Sequence, residues 1–220
     1  MITVHHLEDS RSQRVLWLLE ELGTAYEVKR YARDPKTRLA PPELRAVHPL
    51  GKSPVIQHGE VIVAETGAIV EYLLEAFPGS GLRPAAGTPE ARRFTYWLHY
   101  AEGSAMTPLL LKLIFSEIPK RTPGLVRPIA RGISKAVDAS LIAPQIVAHT
   151  AYWESELGRS AWFAGDAFSA ADIMMSFPLE AATSRLGMAG KPRIADFLTR
   201  IHARPAYARA LERGGPYAYA

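Results

Sequence analysis

A proline at the mouth of a β-hairpin constrains this chain more than any other feature. His48-Pro49-Leu50-Gly51-Lys52-Ser53-Pro54 is a kinked loop, and it gives way abruptly to the apolar Val55-Ile56. After the polar turn His58-Gly59-Glu60, the apolar pattern resumes at Val61-Ile62-Val63. This predicts strands over 55–57 and 61–63 joined by a tight turn. Proline has no N–H to give a ladder, so Pro54 fits as the first residue of its strand. With a small residue before it, Pro54 is a candidate cis bond. A cis bond would turn the Ser53 N–H and C=O outward, unpaired and open to a ligand's peptide-like groups. A trans proline capping an edge strand is the plainer alternative.

The periodicity divides the chain in two. Residues 2–7 alternate like a strand, and Val15, Leu18, Leu19 and Leu22 then follow at helical spacing, closed by Gly23. Residues 26–31 read as a second strand, parallel to the first because a helix joins them. A charged stretch follows, with a short helix near 42–46, then the hairpin, then a helix over 68–77. The order β-α-β-α-β-β-α is an α/β, thioredoxin-like arrangement over residues 1–78. Residues 79–89 are rich in Pro and Gly and form a linker.

From residue 90 on, strand signals vanish and an all-helical domain is expected over 90–220. Its helices should cover 91–115, 125–157, 173–179, 193–203 and 205–213. Pro119 and Pro123 should break the chain, and Pro144 should kink the second long helix. Ser169-Ala170-Ala171-Asp172 is a capping box ahead of the third helix, which Pro178 should bend. Residues 214–220 look irregular.

Composition matters mainly through what is missing. The chain has no cysteine, which excludes disulfides, thiolate metal sites and catalysis by a protein thiol. The net charge of +4 is unevenly spread. Residues 1–79 carry 9 Lys and Arg against 11 Asp and Glu, and the remainder 17 against 11. That is too little, without interleaved aromatics, to argue for nucleic acid. No stretch is apolar enough to span a membrane, and no signal-peptide pattern is seen, so a cytoplasmic location is expected.

A thioredoxin-like domain places its reactive group where the first strand meets the first helix. The helix N-terminus there favours an anion, including a thiolate. Here the junction reads Asp9-Ser10-Arg11-Ser12-Gln13-Arg14. With no cysteine, Ser10 or Ser12 remains to hydrogen-bond a ligand's sulfur. Lowering a thiol pKa of about 8.5 by about 2 units takes roughly 2.7 kcal/mol, within reach of one charge-assisted bond plus a helix terminus. Either serine is equally suited to cap the helix. Glu65-Thr66 begins another helix, where N–H groups and a hydroxyl suit a carboxylate and the Glu65 carboxylate suits an ammonium. Lys52 offers a charge for a second carboxylate.

Three motifs in this order and spacing carry a family resemblance: Leu50-Gly51-Lys52-Ser53-Pro54, Glu65-Thr66 and Phe168-Ser169-Ala170-Ala171-Asp172. With them the whole chain resembles a cytosolic glutathione S-transferase. The segment from His5-His6-Leu7 through Ser10-Arg11-Ser12-Gln13-Arg14 to Trp17-Leu18-Leu19 resembles a bacterial and fungal, serine-type subgroup. The resemblance implies that Pro54 is the family's cis-proline and that the Ser53 backbone pairs with the cysteinyl part of glutathione. It implies that Glu65 and Thr66 hold the γ-glutamyl end and Lys52 the glycine carboxylate. Ser10, four residues before Arg14, becomes the first choice for the thiol-activating hydroxyl, with Ser12 second and Arg11 adding charge. No tyrosine stands at the end of the first strand, where tyrosine-type members have one. His5 and His6 read as packed or hydrogen-bonded side chains.

The family places its electrophile against the first long helix of the second domain. Tyr96, His99, Tyr100, Gly103, Ser104 and Thr107 are spaced to share a face there. Lys112, Lys120, Arg121, Arg127, Arg131 and Lys135 form a basic run opposed only by Glu117. The expected activity is conjugation of glutathione, a co-substrate, to a hydrophobic electrophile, with no cofactor and no metal, by a homodimer. A glutathione-dependent peroxidase or disulfide reductase is the alternative enzyme, and a non-catalytic scaffold the alternative of another class.

Overall fold

The computed structural model describes residues 1–187 and 189–219. Strand β1 (Ile2–Leu7) is the hinge of the sheet. It pairs in parallel with β2 (Tyr26–Tyr31), from Ile2↔Tyr26 to Leu7↔Tyr31. On its other edge it pairs antiparallel with β3 (Val55–His58), from Ile2↔His58 to His5↔Val55. A hairpin through Gly59, at φ 62°, adds β4 (Val61–Ala64), giving the order β2-β1-β3-β4. Helices α1 (Ser12–Leu22), α2 (Glu43–Val47) and α3 (Thr66–Ala76) complete this part. The thioredoxin-like order read from the pattern is present, and the Ser53–Pro54 peptide is cis. The β1–β3 ladder ends at Val55, and the Ser53 hydroxyl continues it. That hydroxyl accepts the Leu7 N–H at 3.2 Å and donates to the His5 carbonyl at 2.8 Å.

Helix α1 is more deeply placed than its one-sided apolar pattern suggests. Every residue from Ser12 to Leu19 is buried. The helix lies between the sheet on one side and the helices over Ala170–Leu186 and Pro205–Gly214 on the other.

The helical part is built on two long rods. The first runs through α4 (Pro89–Tyr100), a π turn (Ala101–Ala105) and α5 (Met106–Arg121). The second runs from a 3₁₀ turn (Gly124–Val126) through α6 (Arg127–Val137) and a second π turn (Asp138–Ile142) into α7 (Ala143–Glu156). Both π turns stand just upstream of a proline, Pro108 and Pro144. A proline ring collides with the carbonyl four residues back and offers it no N–H. The wider turn opens the backbone at that point and lets the helix continue. Pro119 does not break the first rod as expected. It lies in the last turns of α5, where a missing bond costs little, and the break comes at Thr122-Pro123.

Helices α8 (Ala170–Leu186), α9 (Pro192–His202) and α10 (Pro205–Gly214) complete the bundle. Helix α8 corrects a second expectation, because it runs seven residues past the predicted end at 179. Pro178 is tolerated because the carbonyl it leaves unpaired, that of Met174, accepts a hydrogen bond from Arg14 Nη1 at 2.6 Å. The capping motif is present. The Asp172 carboxylate accepts the Ser169 N–H at 2.9 Å, the Ser169 hydroxyl at 3.1 Å and the Phe163 N–H at 2.8 Å.

Two predictions follow from this cap. Asp172→Ala should lower stability by about 2–4 kcal/mol, since it leaves buried donors unpaired; denaturant unfolding checks this. Burial pushes the Asp172 carboxyl up from 3.8 to about 6, while its three donors pull the other way. The native state therefore keeps a proton that the unfolded chain has lost between these values, so this contribution to stability falls as pH rises from about 4 to about 6. Asp172→Asn should remove that slope from the difference between variant and wild-type stability curves.

Candidate functional site

A cavity of about 290 Å³ opens between the loop before β3, the start of α3 and the π turn of the first rod. Arg11, His48, Leu50, Lys52, Ser53, Pro54, Ala64, Glu65, Thr66 and Glu102 line it. Five predicted ligand residues, Lys52, Ser53, Pro54, Glu65 and Thr66, thus meet in one place, with Arg11 from the third segment. Two cations and two carboxylates face a small volume, which suits a ligand that itself carries both signs.

Glu65 is the most constrained residue of the cleft. Strand β4 ends at Ala64 and the chain reverses through Glu65 at φ 72° and ψ 127°, a conformation that side chains disfavour. Such a residue costs on the order of 1–3 kcal/mol and persists only where its surroundings over-determine it. The reversal brings the first N–H groups of α3 and the buried Thr66 hydroxyl to the cleft.

The serines of the first junction are brought together in a chain of hydrogen bonds. Ser10 Oγ lies 2.7 Å from Ser12 Oγ, and Ser12 Oγ lies 2.8 Å from His6 Nδ1 and 3.3 Å from the Leu7 carbonyl. Ser10 Oγ also accepts the Ser12 N–H, the first of the helix, at 3.2 Å. Ser12 is wholly buried and Ser10 is 6% exposed. Neither lines the cavity, whereas Arg11 between them does. Burial, and then the Arg30 charge, lowers the His6 pKa to about 4, although a hydrogen bond to the Gly214 backbone acts in the opposite sense. The ring is therefore neutral near pH 7. Ser12 Oγ thus has two groups of the β1 strand within reach, His6 Nδ1 and the Leu7 carbonyl, and Ser10 Oγ on its other side.

Charge reaches the cleft by another route. Arg11 Nε lies 3.0 Å from Glu102 Oε2, and Arg14, which is 1% exposed, is clamped to the other Glu102 oxygen. Burial alone would raise the Glu102 pKa, but Arg14 and Arg11 outweigh it and hold the carboxyl below its ordinary value. Beside Arg11, outside the residues that line the cavity, lies an aromatic pair. The Phe177 ring is 5.8 Å from the Arg11 guanidinium and 5.3 Å from Tyr219, whose hydroxyl accepts from Arg185 at 3.3 Å.

The six residues proposed for an acceptor face do not share one. Tyr100 is buried in the helical core, accepting from Trp153 Nε1 at 3.0 Å and bonded to His149 Nδ1. Tyr96, His99, Gly103, Ser104 and Thr107 are exposed. Tyr100 is the member that departs, drawn into the core by Trp153 and His149 just before the π turn begins. Glu102, inside that turn, is the residue that reaches the cleft. Sequence reasoning missed it, along with His48, Leu50, Phe177 and Tyr219. An acid among the small residues Gly103, Ser104 and Ala105 was the available signal.

The first 75 residues match the family model described as the glutathione S-transferase N-terminal domain. The chain is 35% identical to glutathione S-transferase 1 of Saccharomyces cerevisiae over 225 aligned residues, covering 97% of this chain and 95% of that protein. It is 32% identical to glutathione S-transferase 3 of Schizosaccharomyces pombe, covering 97% and 88%. Among solved structures, a glutathione S-transferase from Actinobacillus pleuropneumoniae superimposes with a TM-score of 0.80 at 32% identity, covering 100% of this chain and 95% of that one.

The buried His6 ring makes its own prediction. His6 should show no titration between about pH 5 and 8, where an unperturbed imidazole changes charge. Ring chemical shifts of His6 followed by NMR would check this, and a transition near 6.5 would contradict it.

Proposed function

Because this chain belongs to the glutathione S-transferase family, we propose that its cleft binds extended glutathione and activates the thiol for attack on an apolar electrophile. The observation that carries this reading is the convergence of Lys52, Ser53, Pro54, Glu65 and Thr66 on one cavity with Arg11 at its edge. The γ-glutamyl carboxylate sits at the α3 N-terminus and the Thr66 hydroxyl, and its ammonium at Glu65. The Ser53 backbone, just past the last ladder pair, meets the cysteinyl peptide groups. Lys52 faces the glycine carboxylate.

The sulfur then lies at the start of α1. Ser10 and Ser12 are buried and do not line the cavity, whereas Arg11 does, so Arg11 and the helix terminus supply most of the thiolate stabilisation. Ser10 chiefly holds the Ser12 N–H at the start of α1. The electrophile rests on Phe177 and Tyr219, beside Arg11, rather than on the exposed Tyr96–Thr107 stripe. Catalysis is then thiolate formation plus proximity.

Two experiments test this. Glu65→Gln should weaken glutathione binding roughly 10–100-fold by calorimetry, the loss of one charge-assisted bond. In a pH titration of bound-thiolate absorbance, Arg11→Ala should raise the midpoint by about 1 unit, equivalent to about 1.4 kcal/mol, and Ser10→Ala by less. A larger shift in Ser10→Ala would mean that the Ser10 hydroxyl, not Arg11, holds the thiolate. An aryl halide turned over faster than a peroxide or a small disulfide would separate conjugation from reduction. A chain that binds no glutathione would be a scaffold.

A further inference from the structure

The basic run of the helical part lies outside the cleft and is absorbed by none of the chemistry above. Residues 118–137 hold five Lys and Arg and no Asp or Glu. Lys120 is paired to Glu117 at 2.6 Å, and the second charge of that turn, Arg121, is 3.9 Å from the same carboxylate. Arg127, Arg131 and Lys135 have no ion-pair partner among the described residues. Along the same segment stands a ladder of exposed aliphatic side chains. Leu125 is 94% exposed, Ile129 65% and Ile133 58%. They recur every four residues, so they lie along one side of the 3₁₀ turn and α6. Arg127, Arg131 and Lys135 recur at the same interval, two places later, on the other side. Ser134 is the buried member of the helix, between the two ladders on the side packed against α5.

We propose that α6 and the turn before it form a peripheral docking surface for anionic lipid membranes. A helix with an aliphatic side and a basic side lies in the plane of a bilayer surface. Leu125, Ile129 and Ile133 enter the boundary of the acyl region, and the long basic side chains reach back to the phosphates. No helix is long and apolar enough to cross a membrane among the described residues, so the contact is with the surface. Charge decides against the other occupants. A second copy docked through this face about a two-fold axis would set the three unpaired cations Arg127, Arg131 and Lys135 against the same three. An acidic protein would meet a contact without a Phe, Tyr or Trp, the residues that anchor protein interfaces, since residues 118–137 contain none.

The test is vesicle flotation of the full chain. Phosphatidylcholine vesicles would be compared with vesicles containing about 30% phosphatidylserine, at low and high salt. The wild type should float with the anionic vesicles, release as salt rises and ignore the neutral ones. The double variants Ile129→Ser/Ile133→Ser and Arg131→Glu/Lys135→Glu should each lose binding roughly tenfold or more, with unchanged thermal unfolding midpoints. The positions are exposed, and the charge-reversal pair keeps the test decisive if the isoleucine pair fails to fold. Absence of flotation, or equal flotation with neutral vesicles, would overturn the proposal. So would self-association in sedimentation velocity that the isoleucine variant abolishes while vesicles are ignored.

Discussion

The structure depends on one buried arginine. Arg14 leaves α1, enters the helical part and hydrogen-bonds the Met174 carbonyl that Pro178 leaves unpaired. Its other arm holds Glu102 in the π turn of the first rod. A buried guanidinium is costly unless its charge is met, and here Glu102 meets the charge while Glu102 and the Met174 carbonyl, far apart in sequence, take the two terminal nitrogens and Nε stays unpaired. The bond joins α1 to α8 and to the first rod at once. It therefore sets where α1 begins relative to Glu102, and with it the position of Arg11 at the edge of the cleft. Two features that are faults in isolation, a proline inside a helix and an acid in a distorted turn, become the acceptors that fix Arg14.

The same economy recurs at the cleft. Glu65 is held in a disfavoured backbone conformation because the sheet ends behind it and α3 starts ahead of it. The strain turns a carboxylate and a helix terminus toward one volume, something a relaxed turn would not do. At the first junction Ser10, Ser12 and His6 bond one another in the interior. What remains pointing outward is charge, from Arg11.

Much of this was legible in the sequence because it is local. The hairpin, the Gly23 cap, the Ser169–Asp172 box and the Glu65-Thr66 helix start are each set by neighbours within a few residues. The five ligand residues of the cleft belong to two such local signals, and the topology brought them together. What was not legible depends on partners far away. Pro178 reads as a helix bend until Arg14, 160 residues distant by the Met174 bond, supplies the missing donor. Tyr96 to Thr107 read as one face until Trp153 and His149, some fifty residues on, take Tyr100 into the core. Ser10 and Ser12 read as equivalent candidates, and only burial and the His6 contact distinguish them. The aromatic pair beside Arg11 joins Phe177 of a buried helix to Tyr219 of a tail with no periodicity to read.

The central claim is that the start of α1 and the start of α3 hold the two ends of one thiol peptide. A structure of the complex with glutathione tests it most directly. The account predicts the γ-glutamyl group at Glu65 and Thr66, and the sulfur nearer to the Arg11 guanidinium than to either serine hydroxyl. A peptide bound in the opposite direction, or a sulfur resting on Ser12 or away from α1 altogether, would contradict it.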